Sequence, residues 1–165
     1  PQLGVVPLDV ERSFVMADIP GLIEGAHKGQ GLGTRFLKHI ERTRILLHLV
    51  DISDQSDGHI EKNFKIISDE LACFSRKVAE KPTIVVASKI DAASDTQRLA
   101  SLRKFCSKTN RTLFEISSQT GKGLPELKEG IWGKLQDISK ETKLIEKEIS
   151  DFKTDEKHTP KGGEE

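Results

Sequence analysis

The sequence contains no tyrosine, few aromatic residues and no excess of either charge. Aromatic residues make up 5% of the 165 residues, which argues against the base-stacking platforms of proteins that bind single-stranded nucleic acid. The 26 basic residues are balanced by 26 acidic ones, so no overall field attracts nucleic acid or a membrane surface. No apolar run approaches the roughly 18 residues that span a bilayer, so we expect no membrane span.

Cysteine is also scarce. Cys73 and Cys106 are the two cysteines of the sequence, and they do not form a C-x-x-C pair. Two separate thiols on helical segments are typical of a reduced, cytoplasmic protein rather than of a disulfide scaffold or a metal site. We therefore expect a cytoplasmic protein, and we expect it to be a monomer.

Short apolar runs alternate with helical periodicity along the chain, which predicts an α/β fold with a mainly parallel sheet covered on both faces. The predicted strands are Leu3–Asp9, Ser13–Ala17, Ile45–Asp51, Thr83–Ser88 and Thr112–Ser117. The first two are joined by a short turn and must be antiparallel. The predicted helices are Thr34–Arg44, about 58–79, Asp95–Lys108 and one that begins near Gly123. Asp95 or Ser94 is the predicted N-cap of the third.

The chain is short enough to be one domain, which we place at residues 1–150. An apolar stripe that continues to Ile149 extends the last helix. Residues 155–165 contain no apolar side chain, so we predict that residues 151–165 form a disordered polar tail.

The first of three polar loops follows the apolar run 14–17 and reads Asp18-Ile19-Pro20-Gly21; we call it the Asp18 loop. A carboxylate at a strand end, followed by a glycine, suits a magnesium–phosphate site. The Asp18 carboxylate would reach the metal through water, and the Gly21 amide could approach a terminal phosphate because no side chain intervenes. The pattern is also compatible with an ordinary strand end beside a Pro-Gly turn.

The second and third loops follow two further predicted strands. Ser88-Lys89-Ile90-Asp91 comes after the run 83–87; we call it the Lys89 loop. Residues 117–121, which begin Ser117-Ser118-Gln119, come after the run 113–116; we call them the Ser117 loop. Taken singly, the former could be a strand-end turn and the latter a helix N-cap.

The three loops, in this order, resemble the third, fourth and fifth sequence motifs of the GTP-binding G domain. The amino-acid sequence of segments 1–6, 18–26, 29–33 and 35–44 is similar to that of the Obg family of bacterial GTPases. The resemblance covers about residues 1–138 and is most specific over 18–51. It implies the P-loop NTPase fold, a three-layer α/β/α domain with a mostly parallel sheet.

The resemblance assigns a role to the side chains of two loops. The Asp91 carboxylate would accept hydrogen bonds from N1–H and the N2 amino group of guanine, a donor pair that adenine lacks. The alkyl stem of Lys89 would lie across the ring. The Ser118 amide would donate to guanine O6, and Ser117 and Gln119 would shape the loop.

One residue of the Lys89 loop departs from the family pattern. Ser88 stands where the family has an asparagine, whose amide can both bond the base and tie the loop to the phosphate-binding segment. The serine hydroxyl is shorter and can make one of these contacts at most. Losing one such hydrogen bond costs about 1 kcal/mol, so we expect weaker binding with the preference for guanine retained through Asp91.

The sequence contains no G-x-x-x-x-G-K-[ST] phosphate loop, since its two Gly-Lys pairs, at Gly121 and Gly133, are followed by glycine and leucine. It begins with Pro1, where an Obg protein has completed its second motif. We therefore expect a fragment of a longer G domain, incomplete at its N-terminus. The strand before the phosphate loop normally lies between the strands at 13–17 and 45–51, so we also expect a gap at the centre of the sheet.

By resemblance, the complete protein binds GTP or GDP with Mg²⁺, hydrolyses GTP and acts with rRNA in assembly of the large ribosomal subunit. Hydrolysis should be slow because Leu22 occupies the position where many GTPases have a glutamine that orients water; no catalytic residue is identified. We expect these 165 residues alone to be inactive. Two alternatives remain: a non-catalytic interaction module derived from an Obg-like G domain, and an ATPase of a neighbouring branch.

Overall fold

The computed structural model describes residues 2–18, 40–56 and 59–155. Its strands are β1 (Gln2–Pro7), β2 (Ser13–Asp18), β3 (Leu46–Asp51), β4 (Thr83–Ser88) and β5 (Leu113–Glu115). The α-helices whose two ends both lie in the described residues are α1 (Ile60–Phe74), α2 (Arg76–Ala79), α3 (Thr96–Lys108) and α4 (Leu124–Asp155). Of the predicted helix 34–44, residues 34–39 lie outside the described residues. Residues 40 and 41 are helical.

Strands β3, β4 and β5 form a parallel sheet with β4 in the middle. Val85, Val86 and Ala87 of β4 are fully buried, as expected for a central parallel strand covered on both faces. This confirms the predicted α/β fold and its parallel sheet.

The core joins the central strand to two helices. Val85 and Ala87 pack in one cluster with Phe64 of α1 and with Leu102 and Cys106 of α3. The cluster places α1 and α3 against the sheet, and it thereby fixes where the loops after β3 and β4 emerge.

Strands β1 and β2 form a separate antiparallel hairpin, paired from Gln2 opposite Asp18 to Pro7 opposite Ser13. Its turn is closed by Asp9, whose Oδ1 accepts hydrogen bonds from the amides of Glu11 (3.0 Å) and Arg12 (2.8 Å). Within the described ranges β2 pairs only with β1 and β3 only with β4, so no ladder joins the two sheets. The expected break between the strands at 13–17 and 45–51 is thus present there.

The prediction of one helix over 58–79 is wrong, because the helix is interrupted at Ser75. This residue has extended backbone angles (φ −157°, ψ 118°), and its amide closes α1 by donating to the Leu71 carbonyl at 2.9 Å. The Ser75 hydroxyl donates to Glu41 Oε1 at 2.9 Å. Hydrogen bonds made by a serine side chain can replace the regular backbone bonding of a helix. Helix α2 starts directly after the interruption.

The remaining helices follow the sequence signals closely. Of the two predicted caps of α3, Asp95 is the one observed, and its side chain accepts a hydrogen bond from the Gln97 amide at 2.8 Å. Helix α4 begins at Leu124 and ends at Asp155, so residues 151–155 are helical, whereas the rest of the predicted tail lies outside the described residues.

The chain divides into two units, residues 1–130 and 131–165, and the described part of the second unit is the remainder of α4. Among the described residues, no helix has both the length and the apolar character needed to cross a bilayer.

Candidate functional site

Two of the three predicted loops lie side by side at the carboxyl edge of the parallel sheet. The Ile116 amide donates to the Ala87 carbonyl at 2.8 Å, which continues the β4–β5 pairing to the end of the strands. The Ile90 amide then donates to the Ile116 carbonyl at 3.2 Å. These bonds join the Lys89 loop directly to the residue that precedes the Ser117 loop.

The Lys89 loop turns sharply where β4 ends. Lys89 adopts a left-handed conformation (φ 60°, ψ 38°), and a single 3₁₀ turn follows over Ile90–Ala92. Left-handed backbone is unfavourable for a residue with a side chain, and it persists where the surroundings hold it. Here the Lys89 Nζ forms an ion pair with Asp51 Oδ2 at 2.6 Å.

Asp51, the last residue of β3, is a candidate site residue that the sequence reasoning missed, because it pairs with Lys89. Its Oδ1 accepts a hydrogen bond from the Ser53 amide at 2.9 Å. The bond from Lys89 lowers the pKa of Asp51 to about 2, with a smaller contribution from Ser53, so the carboxylate is ionised at neutral pH. The signal was present: Asp51 ends an apolar run in the same way that Asp18 does.

Ser88 is engaged with the neighbouring strand. Its hydroxyl donates to the Val50 carbonyl at 3.2 Å, and its own carbonyl accepts from the Ile52 amide at 3.2 Å. The hydroxyl therefore stabilises the join between β3 and the Lys89 loop, and the base contact considered for it from the sequence stays a prediction.

Asp91, in contrast, is exposed. Its carboxylate forms no hydrogen bond or ion pair with any residue in the described part of the chain. Both of its oxygens are accordingly available to a ligand that presents two donors.

The Ser117 loop is a tight turn closed on a buried hydroxyl. Ser117 is fully buried, and its Oγ accepts a hydrogen bond from the Thr120 amide at 3.1 Å. The Ser117 amide donates to the Lys122 carbonyl at 3.0 Å, and the Gly121 amide donates to the Ser117 carbonyl at 2.9 Å. The loop thus holds its shape through its own backbone.

Ser118 and Gln119 lie at the exposed part of this turn. The Ser118 amide has no acceptor within the described ranges, so it is available as a donor. Gly123 ends the turn with φ +75°, and a Cβ there would lie 2.0 Å from the Glu115 carbonyl oxygen. Only glycine allows the chain to return so close to β5.

The Asp18 loop is described only at its first residue. Asp18 is exposed at the end of β2, and its carboxylate has no partner among the described residues. No hydrogen bond or ion pair of the described residues connects it to the other two loops. Ile19, Pro20 and Gly21 lie outside the described residues.

Asp18 is the carboxylate of the predicted magnesium site. The described residues contain no group of three or more His, Cys, Asp or Glu side chains arranged to hold a metal ion. Mg²⁺ in nucleotide sites keeps several waters and is bound by one or two carboxylates together with phosphate oxygens. Asp18 is compatible with this requirement, and its contact with the metal through water stays a prediction.

Comparison with known proteins gives consistent matches. The family model described as 50S ribosome-binding GTPase matches residues 1–89. The chain is 51% identical to the GTPase Obg of Aquifex aeolicus over 138 residues, which is 84% of this chain. It is 54% identical to the GTPase Obg of Solibacter usitatus over 128 residues (78% of this chain), and 45% identical to that of Acidobacterium capsulatum over 149 residues (87%).

The matched region is only part of each relative. It covers 40% of the Aquifex protein, 38% of the Solibacter protein and 43% of the Acidobacterium protein. The chain therefore spans about two fifths of the length of these curated relatives.

Proposed function

Because this chain belongs to the Obg family of GTPases, we propose that its Lys89 and Ser117 loops form the guanine-binding part of a Mg²⁺-dependent GTPase. The proposal concerns GTP and GDP as ligands. Hydrolysis of GTP is proposed for the whole protein, since these 165 residues contain no G-x-x-x-x-G-K-[ST] pattern.

One observation carries the proposal: a carboxylate and an amide that have no partner among the described residues lie on two loops that are bonded to each other. The Asp91 carboxylate matches N1–H and the N2 amino group of guanine, and the Ser118 amide matches O6. The bond between Ile90 and Ile116 fixes the spacing of the two loops. Adenine presents neither the donor pair nor the carbonyl, so this arrangement favours guanine.

The phosphate and metal contacts belong to the Asp18 loop. Bound Mg²⁺ would neutralise charge on the β- and γ-phosphates. Asp18 would hold a metal-bound water, and the Gly21 amide would meet the terminal phosphate. Leu22 has no polar group to orient an attacking water, which supports slow hydrolysis.

The cellular role rests on family membership. The matched family is described as 50S ribosome-binding GTPase, and this supports a role for the whole protein in assembly of the large ribosomal subunit, with rRNA as partner. We further propose a monomer that acts in the cytoplasm.

The guanine site can be tested by nuclear magnetic resonance on the 165-residue chain, with GDP, ADP and xanthosine diphosphate added to millimolar concentration. We expect GDP, and not ADP, to shift the amide signals of Asp91 and Ser118. In the variant Asp91→Asn, the side chain accepts one hydrogen bond and donates another, which matches the N1–H and O2 of xanthine. This variant should therefore respond to xanthosine diphosphate more strongly than to GDP.

Equal responses to ADP and GDP would contradict the guanine assignment and favour the ATPase alternative. A chain that responds to no nucleotide would instead favour the non-catalytic interaction module. Asp95→Asn, which changes a carboxylate that caps α3, is the control and should keep the preference for GDP.

A further inference from the structure

The Lys89 side chain is anchored by a carboxylate from the neighbouring strand. Its Nζ lies 2.6 Å from Asp51 Oδ2, and the two side chains are 58% and 38% exposed. The lysine stem is therefore held at its far end while much of it remains accessible. Within the described ranges, Lys89 and Asn110 are the two residues other than glycine with positive φ, so the anchored side chain extends from an unusual backbone conformation.

The carboxylate is itself fixed relative to the loop. Asp51 Oδ1 accepts from the Ser53 amide at 2.9 Å, which leaves Oδ2 for the lysine. On either side of Asp51, the Ser88 hydroxyl donates to the Val50 carbonyl and the Ile52 amide donates to the Ser88 carbonyl, both at 3.2 Å. The end of β3 and the start of the Lys89 loop are thus bonded through both main chain and side chain.

A second set of bonds anchors the other end of the loop. The Asp54 amide donates to the Ala92 carbonyl at 3.2 Å, and Asp54 Oδ1 accepts from the Ser94 amide at 3.1 Å. Asp91 lies between these two anchored ends, and its own carboxylate is unpaired among the described residues. The segment after β3 therefore supports the loop without using the group that is proposed to bind the base.

We infer that Asp51 is a positioning residue of the guanine site: by holding Lys89 Nζ, it fixes the lysine stem along one face of a purine bound to Asp91. This inference rests on the proposed function. A free lysine loses rotamer freedom when a ligand packs against it, and this loss weakens binding. A lysine already held by Asp51 has lost that freedom before the ligand arrives.

The test compares GDP affinity among variants of the 165-residue chain, measured from the dependence of the Asp91 and Ser118 amide shifts on GDP concentration. Asp51→Asn should weaken GDP binding about two- to fivefold, the range that corresponds to an exposed ion pair. Lys89→Met keeps an unbranched stem but removes its anchor, and should weaken binding by a similar factor. In the Lys89→Met background, Asp51→Asn should have no further effect, because Asp51 acts only through the lysine.

Glu80→Gln is the matched control, since it also removes a carboxylate from an exposed 2.6 Å ion pair, with Arg76 on α2. It should leave GDP affinity unchanged.

The outcomes separate the inference from the proposed function. If the unsubstituted chain shows no shift with GDP, the proposed function is overturned, and the inference with it. If the chain binds GDP and Asp51→Asn binds it equally well, the inference alone is overturned. If Asp51→Asn weakens binding as much in the Lys89→Met background as in the parent, Asp51 supports the fold rather than the lysine. Should Asp51→Asn fail to fold, Lys89→Met alone decides, because it leaves Asp51 and its Ser53 bond in place: unchanged affinity would overturn the inference.

Discussion

The hairpin and the parallel sheet each carry part of the proposed nucleotide site, but they are built in different ways. In the hairpin, Leu3, Val5 and Val15 are 71%, 69% and 65% exposed. In the sheet, Val85 and Val86 are fully buried. Both regions are rich in β-branched and other apolar residues, so composition alone does not separate them.

The difference lies in what covers each region. Central strand β4 contributes to a core that includes side chains from α1 and α3. The hairpin buries Phe14, and polar contacts connect its strands and turn to the start of α4. Arg12 pairs with Glu129 at 2.8 and 2.9 Å, and Lys128 Nζ donates to the Pro7 carbonyl at 3.1 Å. The Lys89 and Ser117 loops are therefore supported by a packed core, whereas Asp18 is supported by a lightly packed hairpin.

The largest expected effect follows from burial. Leu102→Ala removes a fully buried side chain from the core beside β4 and should lower the free energy of unfolding by about 2–5 kcal/mol. Leu3→Ala, in the hairpin, should change it by no more than about 0.5 kcal/mol, because Leu3 is 71% exposed. Denaturant unfolding followed by circular dichroism measures both. Equal losses would show that the hairpin is as well packed as the sheet.

Lowering the pH should reduce the free energy of unfolding by an intermediate amount, and the responsible residue lies in the parallel sheet. His48 of β3 stacks on Phe64 at 4.4 Å, and the Arg111 guanidinium lies 4.6 Å from the centre of the same ring. Burial, with a smaller contribution from the charge of Arg111, lowers the pKa of His48 from 6.5 to about 4. Between these values the unfolded chain binds more protons than the folded one, so stability is complete above pH 6.5 and decreases as pH falls towards 4.

By pH 5 the loss should be roughly 2 kcal/mol relative to pH 7. Unfolding measured at pH 7, 6 and 5 should show this slope in the parent chain and lose most of it in His48→Gln. His59→Gln, at an exposed position just before α1, is the control and should keep the slope. A slope that survives in His48→Gln would mean that another group titrates over this range.

Much of this architecture could be predicted from local sequence. Strand Thr83–Ser88 was predicted with the bounds that it has, because a run of apolar residues is the signature of a strand buried on both faces. Asp95 was one of two predicted caps of α3, because aspartate and serine before a helix can accept a hydrogen bond from its first amides.

The interruption at Ser75 could not be predicted from periodicity, since the apolar stripe continues to Val78, which is fully buried. The hydroxyl bond from Ser75 to Glu41 joins residues far apart in sequence, and no local pattern contains it. Tertiary contacts therefore overrode a good helical pattern.

In the candidate site, too, some residues could be identified from local sequence and one could not. Asp91 and Ser118 were identified from motifs, because the spacing of each loop after its strand is visible in the sequence. Asp51 was missed because its role depends on the left-handed turn at Lys89, which brings the lysine back to β3. The nucleotide contacts assigned to Asp91 and Ser118, like those assigned to Ile19, Pro20 and Gly21, stay predictions.

The smallest expected effect tests the polar attachment of the hairpin. The Arg12–Glu129 pair is made by two parallel hydrogen bonds, but its side chains are 37% and 56% exposed, so we expect a coupling of about 0.2–1 kcal/mol. A double-mutant cycle of Arg12→Gln and Glu129→Gln is needed, because Arg12 also bonds Asp9 at 2.6 Å and a single substitution removes both contacts.

The Arg103–Glu115 pair is the matched comparison, since it is also made by two hydrogen bonds but joins α3 to β5. The free energy of unfolding hardly distinguishes the two pairs, so the useful measurement is local.

Hydrogen exchange of β1 and β2 amides should accelerate in Glu129→Gln while that of β4 amides stays unchanged, because sparse packing lets the hairpin open by itself. In Glu115→Gln neither set should accelerate, since the core holds β4 and β5 without the ion pair. If Glu129→Gln instead accelerates exchange in β4 as well, the hairpin and the sheet open together, and the contrast between a lightly packed and a core-supported half of the site is wrong.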